Sequence, residues 1–234
     1  MKNVLISDYD ETFYIDEDDI KKNISALEKY RNKDNIFIIA TGRSYENFKE
    51  HVKAHKFPYD YLILNHGATI VNSTGEMIYD SNIDDKIISD LVDDLHIDRS
   101  KKHFFCSQLI NIDDIKNKNI SKINVLYNSI EETIEINKLI SKKYGQYIST
   151  YINRRNSLEI VSKDTNKATA IEYLLKKVKL LDANIYVIGD GYSDVRMVKE
   201  FKGFAIKNSI DEVKEWAKKE YNSVSELIYD ILIS

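Results

Sequence analysis

The sequence predicts an α/β protein, a doubly wound and mostly parallel sheet interrupted by an inserted α+β module. Three observations carry that prediction. From Asn3 to Asn65 apolar strand runs alternate with segments of helical period. The middle of the chain drops this alternation for consecutive strands. The alternation then resumes and continues towards the C-terminal end. Strand–helix–strand order is the grammar of a parallel sheet covered on both faces, whereas strands in succession form hairpins.

The elements follow in order. "NVLIS" (3–7) is apolar and rich in β-branched residues, as a strand buried on both faces must be. "DEDDIKKNISALEKYR" (16–31) sets Ile20, Ile24 and Leu27 at helical spacing, with acids in the first turn where the helix dipole favours them. "NIFIIAT" (35–41) reads as a second strand, "SYENFKEHVKAHK" (44–56) as a helix starting from Ser44, and "YLILN" (61–65) as a third strand. In "GATIVNSTGEMIYD" (67–80) two runs flank "NSTG", which predicts a hairpin.

The inserted module reads as helix "DDKIISDLVDDL", strand "KHFFCSQLI", strand "ISKINVLYN", helix "IEETIEINKLISKKYG" and strand "QYISTYI". The parallel pattern returns with strand "SLEIV", helix "NKATAIEYLLKKVK", strand "NIYVIGD" and helix "SDVRMVKEF". The tail "GFAIKNSIDEVKEWAKK" adds one strand and one helix, with Trp216 as a core anchor. The expected organisation is a core of residues 1–81 and 157–234 and an insert of residues 82–156.

Composition narrows the function. The chain has 234 residues and a net charge of −4, which argues against a nucleic-acid binder. Cys106 is the single cysteine, so an internal disulfide is excluded, and its apolar setting predicts a buried, inert thiol. No apolar stretch approaches the ~18 residues of a membrane span, and "MKNVLISDYD" is too short and acidic for a secretory signal. A cytoplasmic protein, monomeric or weakly self-associating, is the expectation.

Ligands of open parallel sheets bind at the carboxyl ends of the strands. Those ends here carry Asp8, Asp10 and Glu11, then Thr41, Gly42 and Arg43, then Gly189, Asp190 and Asp194. Lys167 opens a core helix. Four carboxylates converging on one edge cannot all remain ionised unaided: some take up protons, or a cation is present. Hard oxygen donors suit Mg²⁺, which is commonly held by one or two carboxylates together with substrate phosphate oxygens. Mg²⁺, a lysine and a hydroxyl make a seat for a phosphoryl group.

With "DYDET" (8–12), Thr41 closing "IFIIAT", Lys167 opening a helix and "GDGYSD" (189–194), the chain resembles the haloacid dehalogenase-like (HAD) phosphohydrolases, whose four motifs occur in this order. "ATGRS", "LNHGA" and "NKATA" are similar to the Cof-type sugar-phosphatase branch, which has an α/β cap inserted between the second and third motifs. The resemblance covers the whole chain. It implies a Rossmann-like core, Asp8 as nucleophile through an aspartyl-phosphate, and Asp10 as general acid and then base. It implies Mg²⁺ held by Asp8, the main-chain carbonyl of Asp10, and Asp190, with Asp194 supporting the metal or Lys167. Thr41 and Lys167 would hold phosphoryl oxygens, and Gly42, Arg43 and Asn65 would face a small phosphate ester, with a sugar phosphate as the expected substrate class.

The chain departs from that pattern at Glu11, where glycine is usual, at Phe13 for leucine, at Ala168 for glycine and at Ser193 for asparagine. Blander roles stay open. Asp8 and Asp10 could cap a turn, Thr41 could cap a helix although Ser44 is better placed, and Arg43 could make a surface ion pair. Lys163 competes with Lys167 for the phosphate role. Asn208 also matches a polar position near the site. The five histidines lack metal-site spacing, and His66, in "NHGA" at a strand end, is the one set apart. A phosphoacceptor signalling module, a catalytically idle binding protein on the same fold and a phosphomutase are the rival readings.

Overall fold

The protein is described from a computed structural model covering residues 2–115, 119–153 and 156–233. The chain begins with β1 (Asn3–Ser7), α1 (Glu17–Arg31), β2 (Ile36–Ala40), α2 (Tyr45–His55) and β3 (Tyr61–Leu64). The hairpin expected around "NSTG" forms from β4 (Thr69–Asn72) and β5 (Met77–Asp80). Asp16 caps α1 by accepting from the N–H groups of Asp18 and Asp19, and Ser44 caps α2 through the N–H of Asn47.

The insert supplies α3 (Ile88–Asp94), β6 (Lys102–Ser107), β7 (Ile110–Ile112), β8 (Ile120–Leu126), α4 (Ile130–Tyr144), β9 (Ile148–Asn153) and β10 (Ser157–Ser162). After it come α5 (Lys167–Lys177), β11 (Asn184–Gly189), α6 (Val195–Glu200), β12 (Phe204–Ile206), α7 (Asp211–Lys214), β13 (Glu220–Tyr221) and α8 (Val224–Ile233). Two sheets result. The larger runs β13-β12-β11-β1-β2-β3-β4-β5 and is parallel up to β3; the smaller, antiparallel one runs β7-β6-β8-β10-β9.

Each face of the large sheet has its own core. Val4 and Ile6 of β1 point to the α5–α6 side, where they meet Ile171, Leu174 and Met197. Leu5 points to the opposite side, with Leu27 of α1, Ile228 of α8 and the aromatic group of Tyr9, Phe13, Phe48 and Phe57. A third core, including Leu91, Ile123, Ile140 and Leu158, lies under the small sheet. Each fully buried side chain of this size contributes roughly 1.5–3 kcal/mol, so each layer has its own driving force for packing.

Four expectations need correction. The strand over 157–162 does not return to the parallel sheet. It pairs antiparallel with β8 and β9, so the passage back to the large sheet comes after Ser162. Leu158 and Ile160 face the helices of the small sheet, while the other face of β10 is turned to the large-sheet unit. A strand covered on both faces loses its alternation and looks like a parallel one. The run "KHFFCSQLI" is divided into β6 and the start of β7 by a turn at Gln108, whose φ is 54°. The tail has a further strand and helix, β13 and α8. Trp216 is 41% exposed, with the Lys199 ammonium 3.5 Å from its ring centroid, and anchors no core. Cys106 is buried as expected, and burial pushes its thiol up to about 11.

Candidate active site

β11, β1 and β2 are neighbours in the large sheet, so the residues that follow their carboxyl ends share one edge. Asp8 follows β1, Thr41 follows β2 and Asp190 follows β11. Asp194 reaches the same place from the turn before α6. It can do so because position 189 is glycine: a Cβ there would lie 2.6 Å from the Asp194 side chain.

Lys167 binds these acids together. Its Nζ donates to Asp8 Oδ1 at 2.6 Å and to Asp194 Oδ1 at 2.7 Å, and the side chain is 1% exposed. Lys163, four residues earlier, is exposed. Burial would lower the Lys167 pKa, but the carboxylates of Asp194 and Asp8 outweigh it and hold the ammonium charged. Lys167 is also the first residue of α5, whose N-terminus adds positive potential. Asn166 caps that helix through the N–H of Thr169.

Asp194 is fully engaged. Its other oxygen accepts from the main-chain N–H groups of Asp190 and Gly191 at 3.1 and 3.0 Å. Asp8, Asp190 and Asp194 can each bring an oxygen within 4.8 Å of the others, which fits a hard divalent cation. One lysine does not balance three acids. Burial and then repulsion from Asp194 hold Asp8 well above the ordinary carboxylate range and push Asp190 up to about 6. With Asp194 already committed, Asp8 and Asp190 are the side chains best able to hold such an ion. Thr12 Oγ1 donates to Asp190 Oδ1 at 2.7 Å and orients it, a role the sequence reading did not assign.

The Asp10 carboxylate stands apart from this triad. Arg43 grips it with two bonds, Nε to Oδ2 at 2.8 Å and Nη2 to Oδ1 at 2.6 Å. The same guanidinium lies 5.7 Å from the Tyr9 ring centroid and 2.6 Å from His51 Nε2. A guanidinium only donates, so Nε2 of His51 is the bare nitrogen. Nδ1 of the neutral ring then carries the hydrogen and donates to the Tyr9 oxygen at 3.2 Å. Burial and Arg43 lower the His51 pKa, which favours that neutral form. Sequence reading gave His51 no role. Glu11, where glycine was expected, takes φ 59°, the left-handed conformation glycine adopts freely.

Thr41 is buried and lines the site, its Oγ1 accepting from the Arg43 N–H at 3.2 Å so that its own hydrogen can be donated. Asn65 does not line the site. It is buried with φ 51°, its side-chain amide donates to Thr69 Oγ1, and its main-chain N–H donates to the Arg43 carbonyl. Asn208 is exposed.

A cavity of about 770 Å³ lies over this edge. Its floor includes Asp8, Asp10, Thr41, Arg43 and Lys167. Its roof is one face of the small sheet, with Lys102 and Phe104 from β6, Lys122 and Asn124 from β8, and Glu159 from β10. None of these roof residues was singled out by sequence reading. His66, which was, lies at the seam: its ring stacks on Tyr151 of β9 at 4.0 Å between centroids, and its Nε2 is 2.9 Å from Glu159 Oε2. Among the described residues, no helix is long and apolar enough to cross a membrane.

Comparison with known proteins agrees with this fold. A Buchnera aphidicola (subsp. Baizongia pistaciae) protein named "Putative phosphatase" is 28% identical over 239 residues, covering 89% of this chain and 88% of that one. The solved structure of a haloacid dehalogenase-like hydrolase from Bacteroides thetaiotaomicron superposes with a TM-score of 0.83 at 17% identity, covering 99% of this chain and 100% of the other. That of a HAD subclass IIB sugar phosphatase gives 0.77 at 18% identity, covering 100% of each. At such identities the structures speak for the fold alone. The family model of the haloacid dehalogenase-like hydrolases matches residues 5–107 and 96–227, nearly the whole chain, and the protein belongs to that family.

Proposed function

We propose that the protein is a Mg²⁺-dependent phosphatase of a small phosphorylated metabolite, a sugar phosphate being the expected class, and that it works through an aspartyl-phosphate on Asp8. The observation that carries this reading is the pairing of Lys167 with Asp8 beside Asp190 and Asp194, under a cavity whose floor also bears Asp10. Mg²⁺, when bound by Asp8, Asp190 and the Asp10 carbonyl, would neutralise phosphoryl charge and so permit attack by an anion.

Lys167 and the Thr41 hydroxyl hold the phosphoryl oxygens. An Asp8 oxygen attacks phosphorus and the bond to the leaving alcohol breaks, with Asp10 giving its proton to that oxygen. Asp10 then takes a proton from water, whose oxygen attacks phosphorus; the bond to Asp8 breaks and inorganic phosphate leaves. Both Asp10 oxygens accept from Arg43. For Asp10 to act as an acid, at least one oxygen must be released, and an incoming phosphate dianion competes for the same guanidinium. The acid/base position of Asp10 and the inserted small-sheet unit over the site favour turnover over a stored phosphoryl group, which a signalling module would need.

The small-sheet unit is the cap in this reading and supplies the contacts to the leaving group. No nucleic-acid or membrane partner is expected, and a cytoplasmic, monomeric or weakly associating enzyme remains the proposal. The test is release of inorganic phosphate from a panel of phosphomonoesters by the purified protein, with Mg²⁺ and with a chelator. Activity on at least one ester, lost on chelation, is expected. Full activity without a divalent ion, or no hydrolysis of any ester, would sink the proposal.

A further inference from the structure

The roof and floor of the cavity are joined by a buried charged group that the reaction itself does not use. Lys122 of β8 is 2% exposed, and Glu159 of β10 is 12% exposed. They are diagonal neighbours on one face of the small sheet, since Lys122 pairs with Val161 and Asn124 with Glu159. Lys122 Nζ donates to Glu159 Oε2 at 2.9 Å and, across the seam, to the Gly42 carbonyl at 2.6 Å. His66, from the large-sheet side, meets the same Glu159 oxygen. A carboxylate only accepts, so His66 Nε2 carries the hydrogen. Burial would raise the Glu159 pKa, but Lys122 and His66 outweigh it and hold the carboxylate ionised.

Such a group is a poor device for stability alone, because apolar side chains of similar volume commonly serve as well or better. Its position suggests another use. Thr41, Gly42 and Arg43 form the loop that the proposed reaction uses to meet the phosphoryl group, and each of their carbonyls has a donor. The Thr41 carbonyl accepts from the His66 N–H at 3.1 Å and the Arg43 carbonyl from the Asn65 N–H at 3.0 Å. The middle one, on Gly42, accepts from Lys122. Two of the three donors therefore belong to the large-sheet unit itself, and the third arrives only when the small sheet is docked. Gly42 is needed for this packing, since a Cβ there would fall 2.5 Å from the His66 ring.

We propose that Lys122 and Glu159 are positioning residues for the Thr41–Arg43 loop, completing its geometry only when the cap is seated and so making hydrolysis contingent on cap docking. Lys122 ties the Gly42 carbonyl, and Glu159 with His66 aims Lys122. This rests on the phosphatase reading given above.

Two neutral pairs isolate the donor. Lys122→Met/Glu159→Leu removes both charges and the bond to Gly42. Lys122→Gln/Glu159→Gln removes the charges but keeps an N–H that can reach the carbonyl. For the Met/Leu pair we expect kcat on a small aryl phosphate to fall roughly 100-fold, the scale of a small misplacement of reacting groups. Inhibition by inorganic phosphate should weaken about tenfold, and amide exchange in residues 41–43 should quicken while that of β1 does not. The Gln/Gln pair should recover most of the loss. Equal kcat in the two pairs, or a Met/Leu pair with wild-type kcat and wild-type exchange, overturns the proposal.

If the Met/Leu pair does not fold, Lys122→Met/Glu159→Gln takes its place, keeping an acceptor for His66 while removing the donor to Gly42. A tenfold or larger loss of kcat with faster exchange in residues 41–43 supports the proposal, and wild-type values for both overturn it. Exchange needs no turnover, so a failed phosphatase reading, revealed by no hydrolysis of any phosphomonoester by the wild-type protein, would be seen separately.

Discussion

Replacing Asp190 by asparagine should stabilise the metal-free protein at neutral pH, and the gain should vanish in acid. In the folded protein the Asp190 carboxyl titrates at about 6, against an ordinary value of 3.8, because it is buried and faces Asp194. Below the ordinary value it is protonated in both states and costs nothing. Between about 4 and 6 the unfolded chain releases the proton while the folded chain keeps it, so stability falls as pH rises. Above about 6 the whole cost is present. A gap of about 2 pK units is worth about 3 kcal/mol.

Asparagine has nearly the same shape, keeps an oxygen for the Thr12 hydroxyl and has no charge to confine. At pH 7.5 in a chelator the variant should therefore exceed wild type by about 3 kcal/mol, or roughly 6–12 °C in Tm for a chain of this size. At pH 4 the two should coincide. The comparison must be a difference between proteins, because half-buried His51 and buried His66 have lowered pKa values and destabilise the fold as pH falls through about 6.5. That slope is common to both proteins and cancels. Saturating Mg²⁺ should reverse the order, since wild type gains from binding and the variant loses a ligand. Denaturant or thermal unfolding across pH 4–8, with chelator and with Mg²⁺, measures all of this. Equal stability at pH 7.5, or a gap that does not change with pH, would refute the account of the acidic cluster.

Asp8→Asn should abolish turnover, by about 10⁴-fold or more, with circular dichroism unchanged; activity within tenfold of wild type would remove Asp8 as the nucleophile. Lys167→Ala should cut kcat/KM by roughly 10²–10³-fold, the scale of losing one preorganised electrostatic donor, whereas exposed Lys163→Ala should stay within a few-fold; steady-state kinetics of the pair would expose a reversal. Deleting residues 82–162 should leave a soluble core that hydrolyses a small aryl phosphate slowly. Deleting only 82–156 should aggregate on size-exclusion chromatography, because β10 is left without β8 and β9 and offers unpaired strand edges. The opposite result would place β10 with the core.

The large sheet and the floor of the site were legible in the sequence because their signals are local. Apolar runs that end in Asp8, Thr41 and Asp190 mark strands and their carboxyl ends, and any parallel sheet with these strands adjacent brings those residues together. Lys167 could be told from Lys163 because helix starts have their own chemistry, and Ser44 could be read as a cap for the same reason. The small sheet was less legible. β10 looked like a core strand because it is covered on both faces, a condition created by docking and not by its own residues. Lys122 in "SKINV" looks like any surface lysine. Its compensation comes from Glu159, 37 residues later, and from a carbonyl 80 residues earlier. Thr12 and His51 act through partners 178 and 8 residues away, along directions that only the packed turn and helix define. The sequence by itself determined which groups stand at the sheet edge and hence the chemistry available there. The tertiary structure alone decided which charges are buried and paired, because desolvation depends on what covers a residue, and the cover here is another sheet.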